Sequence, residues 1–305
     1  MNRSTTLPNS CILFLVTLLV LLCSTTRLPA QGLLDGFMRG KGNLVTALSY
    51  SNESYDTYFV GDTKTQNPNL GTIRMNSLGI FVAGGVTDHL DVIVSAPYVS
   101  TNATQGFISD QDDFQDISLF VKGRFLNRSF GNGATLSLMA AGGISKPLSD
   151  YIADSPVSIG NQSTQWDGRL IAQYSFLQGI FIAAQTGYIK RGNVDIDRGL
   201  EVSVPDAWDY ILRTGGIYKK WYADAWLQHQ DSRNGTDIGP GVPFPSNDID
   251  FTRVGFTLYH PIPKFENFGI AVGGGFTLSG TNIGKSDRFS ASLIYNFSVA
   301  TPSID

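Results

Sequence analysis

The chain predicts an all-β fold, a twelve-stranded antiparallel transmembrane β-barrel of outer-membrane type. Three observations predict it. Apolar and polar residues alternate with a period of two along most of the chain, as in Phe289, Ala291, Leu293, Tyr295 and Phe297 against Ser290, Ser292 and Asn296; a period of two is the mark of a strand with different environments on its two faces. The amino terminus reads as an export signal. The connections between strands alternate short and long, as membrane barrels require. Periodicity by itself also suits a soluble secreted sheet with its apolar face inward. The export signal, the strand count and the loop alternation decide for the barrel.

Residues 1–30 are expected to be a secretory signal peptide. Arg3 supplies the positive start and residues 11–23 are an apolar run, shorter than the about twenty residues of a spanning helix. Cleavage is placed after Ala30. Both cysteines, Cys11 and Cys23, lie inside this segment, so the exported chain has no disulfide and needs another source of order. A closed hydrogen-bonded barrel supplies it. Residues 31–42 are a Gly-rich lead-in, residues 43–299 the barrel and residues 300–305 a tail.

Strands are expected at 43–60, 72–85, 89–99, 114–126, 133–145, 164–176, 179–191, 206–218, 221–231, 249–260, 268–279 and 287–299. That is an even number, which puts both termini on the periplasmic side. Short connections fall at 86–89, 126–131, 176–179, 219–220 and 261–268, and longer polar ones at 60–72, 99–113, 146–163, 191–206, 231–249 and 279–287. The mean hydropathy of −0.01 suits alternating lipid-facing and water-facing residues. The formal net charge of −4, and the absence of a basic tract, exclude a nucleic-acid partner.

Within each strand the charges keep to one face. Ile117, Leu119, Val121 and Phe125 oppose Asp116, Ser118, Lys122 and Arg124; Leu170, Ala172 and Tyr174 oppose Arg169, Gln173 and Ser175; Val254, Phe256 and Leu258 oppose Arg253 and Thr257. A charge facing mid-bilayer lipid costs roughly 2–4 kcal/mol, so the charged faces should line the lumen. Expected lumen contacts are Phe120, Lys122, Arg124, Arg169, Gln173, Tyr222, Asp224, Trp226 and Arg253. The inward aromatics Phe120, Phe181, Tyr222, Trp226, Phe251 and Tyr259 either guide a small apolar or aromatic solute or simply fill the barrel. Twelve strands lie between a filled eight-stranded barrel and a water-filled sixteen-stranded one.

Residues 85–98 read Gly-Val-Thr-Asp-His-Leu-Asp-Val-Ile-Val-Ser-Ala-Pro-Tyr. This resembles the turn-and-strand signature of the outer-membrane barrel family named for the meta-pathway of phenol degradation, with Val86 where that family has Leu. Asp116 before Ile117 and Leu119, and Gly143 with Pro147, resemble further family positions. The resemblance implies an outer-membrane barrel passing small, often hydrophobic molecules, and brings no catalytic residues with it. Read on its own, Asp88 favours a tight turn, and Pro97, lacking a donor, belongs near a strand end. The stretch then serves as a hairpin of defined register.

Catalytic chemistry finds little support. His229 and Ser232 lie in a run reminiscent of outer-membrane phospholipase A, but three residues apart they point to opposite strand faces. Asp110, Asp112, Asp113 and Asp116, and Asp248 with Asp250, are carboxylates of solvated loops without a calcium-loop pattern. Asn-x-Ser/Thr triplets, such as that at Asn296 within a strand, are accidents of composition. The expectation is a bacterial outer-membrane barrel that is no enzyme, holds no metal or cofactor, and has lipid and a small solute as partners. A non-transporting surface barrel is the alternative.

Overall fold

In a computed structural model, residues 34–176, 179–265 and 267–298 are described; the expected signal peptide and tail lie outside them. Twelve long strands alternate in direction: β1 Asn43–Tyr55, β2 Ile73–Thr87, β3 Leu90–Ala103, β4 Asp116–Ser129, β5 Thr135–Pro147, β6 Gln165–Phe176, β7 Ile180–Arg191, β8 Asp206–Tyr218, β9 Trp221–Arg233, β10 Asp250–Pro261, β11 Phe268–Thr281 and β12 Asp287–Ser298. Each pairs with its neighbours in sequence, and β12 pairs with β1, Asn43 opposite Ser298 through Ser54 opposite Asp287. The sheet therefore closes, leaving no free edge. Regular helix among the described residues is one 3-10 turn, Phe244–Ser246.

Two expected boundaries need correction. The first candidate strand, 43–60, divides: β1 ends at Tyr55, and Thr57–Val60 folds back on Thr63–Gln66 as an outer-loop hairpin. Pro97 lies well inside β3 rather than near its end. There β3 changes partner, pairing with β4 through Ser95 and with the short strand Gln111–Phe114 from Tyr98. A residue without a donor costs little at such a break.

The outward faces carry Leu48, Ile80, Leu119, Leu170, Leu212, Leu227, Ile270 and Leu293, all exposed. Aromatic clusters ring both ends of this apolar belt. At the short-turn end Phe265, Phe268, Tyr295 and Phe297 pack in series, as do Phe130, Tyr174 and Phe176. At the long-loop end stand Tyr98 with Phe114, Tyr188 with Trp208 and Tyr210, and Phe276 with Phe289. An apolar band between two aromatic girdles matches a bilayer. The charged faces look inward.

The long loops are folded. The hairpin Asn193–Ile196 with Leu200–Ser203 buries Val194, Ile196 and Val202 against Ala153, and the Tyr151 hydroxyl donates to Asp116 at 2.8 Å. Burial and the nearby Asp116 carboxylate push the Tyr151 phenol up.

Candidate functional site: the lumen and its amino-terminal stopper

The described part of the lead-in, from Leu34 to Gly42, does not lie outside the barrel. It threads into the lumen at the short-turn end. Leu34 and Met38 pack on Ala83, Ile93, Phe120, Met139, Ala141 and Ile171. Phe37 meets Phe181 edge-on at 5.2 Å and Tyr222 at 6.5 Å. The path needs glycines where backbone meets wall: a Cβ on Gly85 would fall 1.9 Å from the Gly40 carbonyl oxygen, and one on Gly36 would fall 2.0 Å from Gln173 Oε1.

Polar contacts fix the segment's register. Lys122 is fully buried; its Nζ lies 3.0 Å from Asp35 Oδ1 and 3.3 Å from Asp91 Oδ2, and donates to the Phe37 carbonyl at 2.6 Å. Arg39 Nη2 sits 2.5 Å from Asp35 Oδ2, and its backbone N–H donates to both Asp91 oxygens at 3.2 Å. Two cations against two carboxylates make a neutral buried cluster, the condition under which such charges survive burial. Burial raises the Asp35 pKa, but the charges of Arg39 and Lys122 and the Phe37 N–H outweigh it and hold the carboxyl well below the usual range.

The 85–98 stretch forms the dock for this segment. Gly85 accepts the Gly42 N–H at 2.9 Å, Asp88 Oδ1 accepts the Lys41 N–H at 3.0 Å, and Asp91 binds Arg39 and Lys122. The hairpin reading is thus joined by a tertiary role that only the folded chain displays.

Above the stopper lies a cavity of about 720 Å³, reaching from Leu34 and Arg39 to Glu53, Val99, Gln115 and Arg288. Of the expected lumen residues, Phe120, Arg169, Trp226 and Arg253 border it. Lys122, Gln173, Tyr222 and Asp224 point inward but are buried low in the barrel. Tyr222 and Asp224 are hydrogen-bonded to each other, and Arg213 Nη1 lies 2.8 Å from Asp224. Arg124 sits at the turn, donating to the Asp88 carbonyl at 3.0 Å. The inward aromatics divide accordingly: Phe181, Tyr222 and Tyr259 fill the lower lumen, while Trp226 faces the cavity.

One wall of the cavity is a charge network around Arg169, 2.8 Å from Asp167 and 2.5 Å from Asp209, with Gln228 donating to Asp209 at 2.7 Å. The opposite wall is small and polar, with Ser49, Ser51, Ser77, Ser95, Ser290 and Ser292. Sequence reasoning missed Asp35, Asp91, Asp209 and Arg288. Arg288 shares parity with Ser290 and Ser292, which was a usable signal; nothing local marks Asp35.

His229 and Ser232 do fall on opposite faces. His229 is exposed on the outer wall, stacked on Tyr210, while the buried Ser232 Oγ donates to the Ile249 carbonyl at 2.7 Å. No His–Ser dyad forms. Among the described residues no group of three or more His, Cys, Asp or Glu side chains is placed to hold a metal.

Among solved structures, the chain resembles an outer-membrane channel from Pseudomonas putida F1, with a TM-score of 0.69 at 12% identity, covering 89% of this chain and 100% of that one. Looser likenesses are the translocator domain of the autotransporter NalP from Neisseria meningitidis (TM-score 0.48, 12% identity, 86% and 90% covered) and the KdgM porin (0.46, 8%, 82% and 99%). No family profile matches the chain, and no curated protein matches it in sequence. The first likeness shows the fold, a barrel of the outer-membrane kind.

Proposed function

We propose that the protein is a bacterial outer-membrane channel for passive passage of small molecules, hydrophobic and aromatic ones included, whose periplasmic end is stoppered by its own amino-terminal segment. The observation that carries this is the cavity of about 720 Å³ inside a closed barrel, bordered by both an indole and guanidinium groups. Lipid-facing apolar belts, two aromatic girdles and the expected export signal support the outer membrane as its location. The resemblance of residues 85–98 supports membership of the phenol meta-pathway barrel family.

Passage in this reading requires the lead-in to move. The segment is held by one ion cluster, by the apolar contacts of Leu34, Phe37 and Met38 and by a few hydrogen bonds to the turn at Gly85–Asp88, not by a strand ladder, so it can leave without opening the barrel. The test is conductance and aromatic-solute influx with the purified chain in bilayers and liposomes. Trp226→Ala together with Arg253→Ala should change influx; unchanged influx removes the lumen assignment. A second reading, a non-transporting barrel whose folded outer loops are the working part, is favoured by the tightly filled lower lumen, where Tyr222 and Lys122 are fully buried. Absence of any conductance, with the lead-in deleted as well as present, would select it.

A further inference from the structure

We propose that Arg288, Arg253 and the indole of Trp226 form a subsite for the carboxylate of a small aromatic acid; this deepens, and rests on, the channel reading. Glu53 and Arg288 are directly opposed on β1 and β12. Their charges nevertheless do not pair. Glu53 Oε1 accepts the Ser286 hydroxyl and lies 3.4 Å from Arg253 Nη2. Arg288 Nη2 donates only to the Ser51 hydroxyl, at 3.1 Å, and has no acidic partner among the described residues. Two guanidinium groups thus stand on a wall with one carboxylate, which pairs with Arg253, and the charge of Arg288 faces the cavity without an ion pair of its own.

The surroundings suit a planar anion. Arg253 is held from behind by Thr277 Oγ1 at 3.1 Å and by the face of Phe251 at 4.6 Å, so its position does not depend on Glu53 alone. Trp226 lies flat on the barrel wall over two glycines: a Cβ on Gly255 would fall 2.2 Å from the ring, and one on Gly275 3.2 Å from it. Gly275 is also the ladder partner of Arg288. The indole and the free guanidinium therefore flank the same glycine. An aromatic ring laid on the indole gains an offset stack, and a carboxylate on that ring reaches a guanidinium fork whose donors match its two oxygens. Across the cavity the charge balance is reversed, since Arg169 there faces both Asp167 and Asp209. An aromatic acid is held on one wall and repelled from the other.

The probes are benzoate and its neutral counterpart benzyl alcohol, with binding measured by calorimetry on the full exported chain in detergent and flux measured in liposomes. Wild type should bind benzoate in preference to benzyl alcohol. Arg288→Gln should weaken benzoate at least tenfold and leave benzyl alcohol unchanged, with Arg288→Lys retaining part of the affinity. Glu53→Gln, which frees Arg253, should tighten benzoate and shift the reversal potential in a salt gradient toward anions. Equal benzoate binding by wild type and Arg288→Gln, or no preference for the acid in wild type, overturns the subsite. Should Arg288→Gln not fold, Glu53→Gln decides by itself: no gain in benzoate affinity overturns it. Benzoate binding without flux of either probe would count against the channel and leave the subsite standing, whereas benzyl alcohol flux without acid preference does the reverse.

Discussion

Replacing Lys122 by Met tests whether the ion cluster is what seats the stopper. The ammonium is fully buried and serves Asp35, Asp91 and the Phe37 carbonyl. Removing one member of a buried ion cluster costs about 3–5 kcal/mol, because the remaining charges stay desolvated and unpaired. Arg39 continues to neutralise Asp35, so the lower figure applies, about 3 kcal/mol, which sets an upper bound of roughly 150-fold on the loss in the docked-to-undocked ratio. The loss is shared: Asp35 and the Phe37 carbonyl belong to the docked segment, whose seating weakens, while Asp91 faces Lys122 from the neighbouring strand and loses its partner within the barrel. Met38 of the segment is buried against the barrel wall, and the native cysteines are expected to leave with the signal, so a single Met38→Cys reports undocking through its maleimide labelling rate. Lys122→Met in that background should accelerate labelling by more than tenfold and up to about a hundredfold and raise conductance, while heat-modifiable migration, the sign of a folded barrel, stays intact. A labelling rate within threefold of the background, with unchanged conductance, would refute the reasoning.

Three further outcomes follow from the same structure. The Asp35 carboxyl is held below its ordinary value of 3.8, so its contribution to docking is fully present above that value and is lost as pH falls beneath it; conductance in planar bilayers should rise as the pH is taken below 3.8, and no rise there would contradict this. Gly85→Ala, whose new methyl would collide with the Gly40 carbonyl, should raise labelling as Lys122→Met does, and an unchanged rate would show that the segment takes another path. Leu293→Arg, on the exposed outer face of β12, should lower folding stability in liposomes by about 2–4 kcal/mol in denaturant titrations; no loss would mean that this face does not meet lipid.

Much of the architecture was legible in residue order because a strand's two faces are read two residues at a time. Ile117, Leu119 and Val121 against Ser118 and Lys122 declare which side meets lipid wherever the strand lies, and loop lengths declare which turns share an end. The small errors arose where local pattern and pairing diverge: the 57–60 segment continues the alternation of β1 but leaves the barrel, and Pro97 sits at an exchange of partners that no single strand records. The lumen set was readable as a face but not as a depth, so Trp226 and Tyr222, four residues apart with the same parity, could not be told apart as cavity wall and buried filler.

Residue order alone determined a succession of two-faced strands joined by alternately short and long connections, since alternation and turn chemistry are local and repeat along every strand. Only the tertiary structure decided what fills the barrel. Asp35 meets Lys122 and Asp91, and Glu53 turns from its ladder partner Arg288 to Arg253, through contacts between residues far apart in the chain. Such contacts depend on closure, which brings β12 to β1 and the lead-in into the lumen, and no window of neighbouring residues contains the closure.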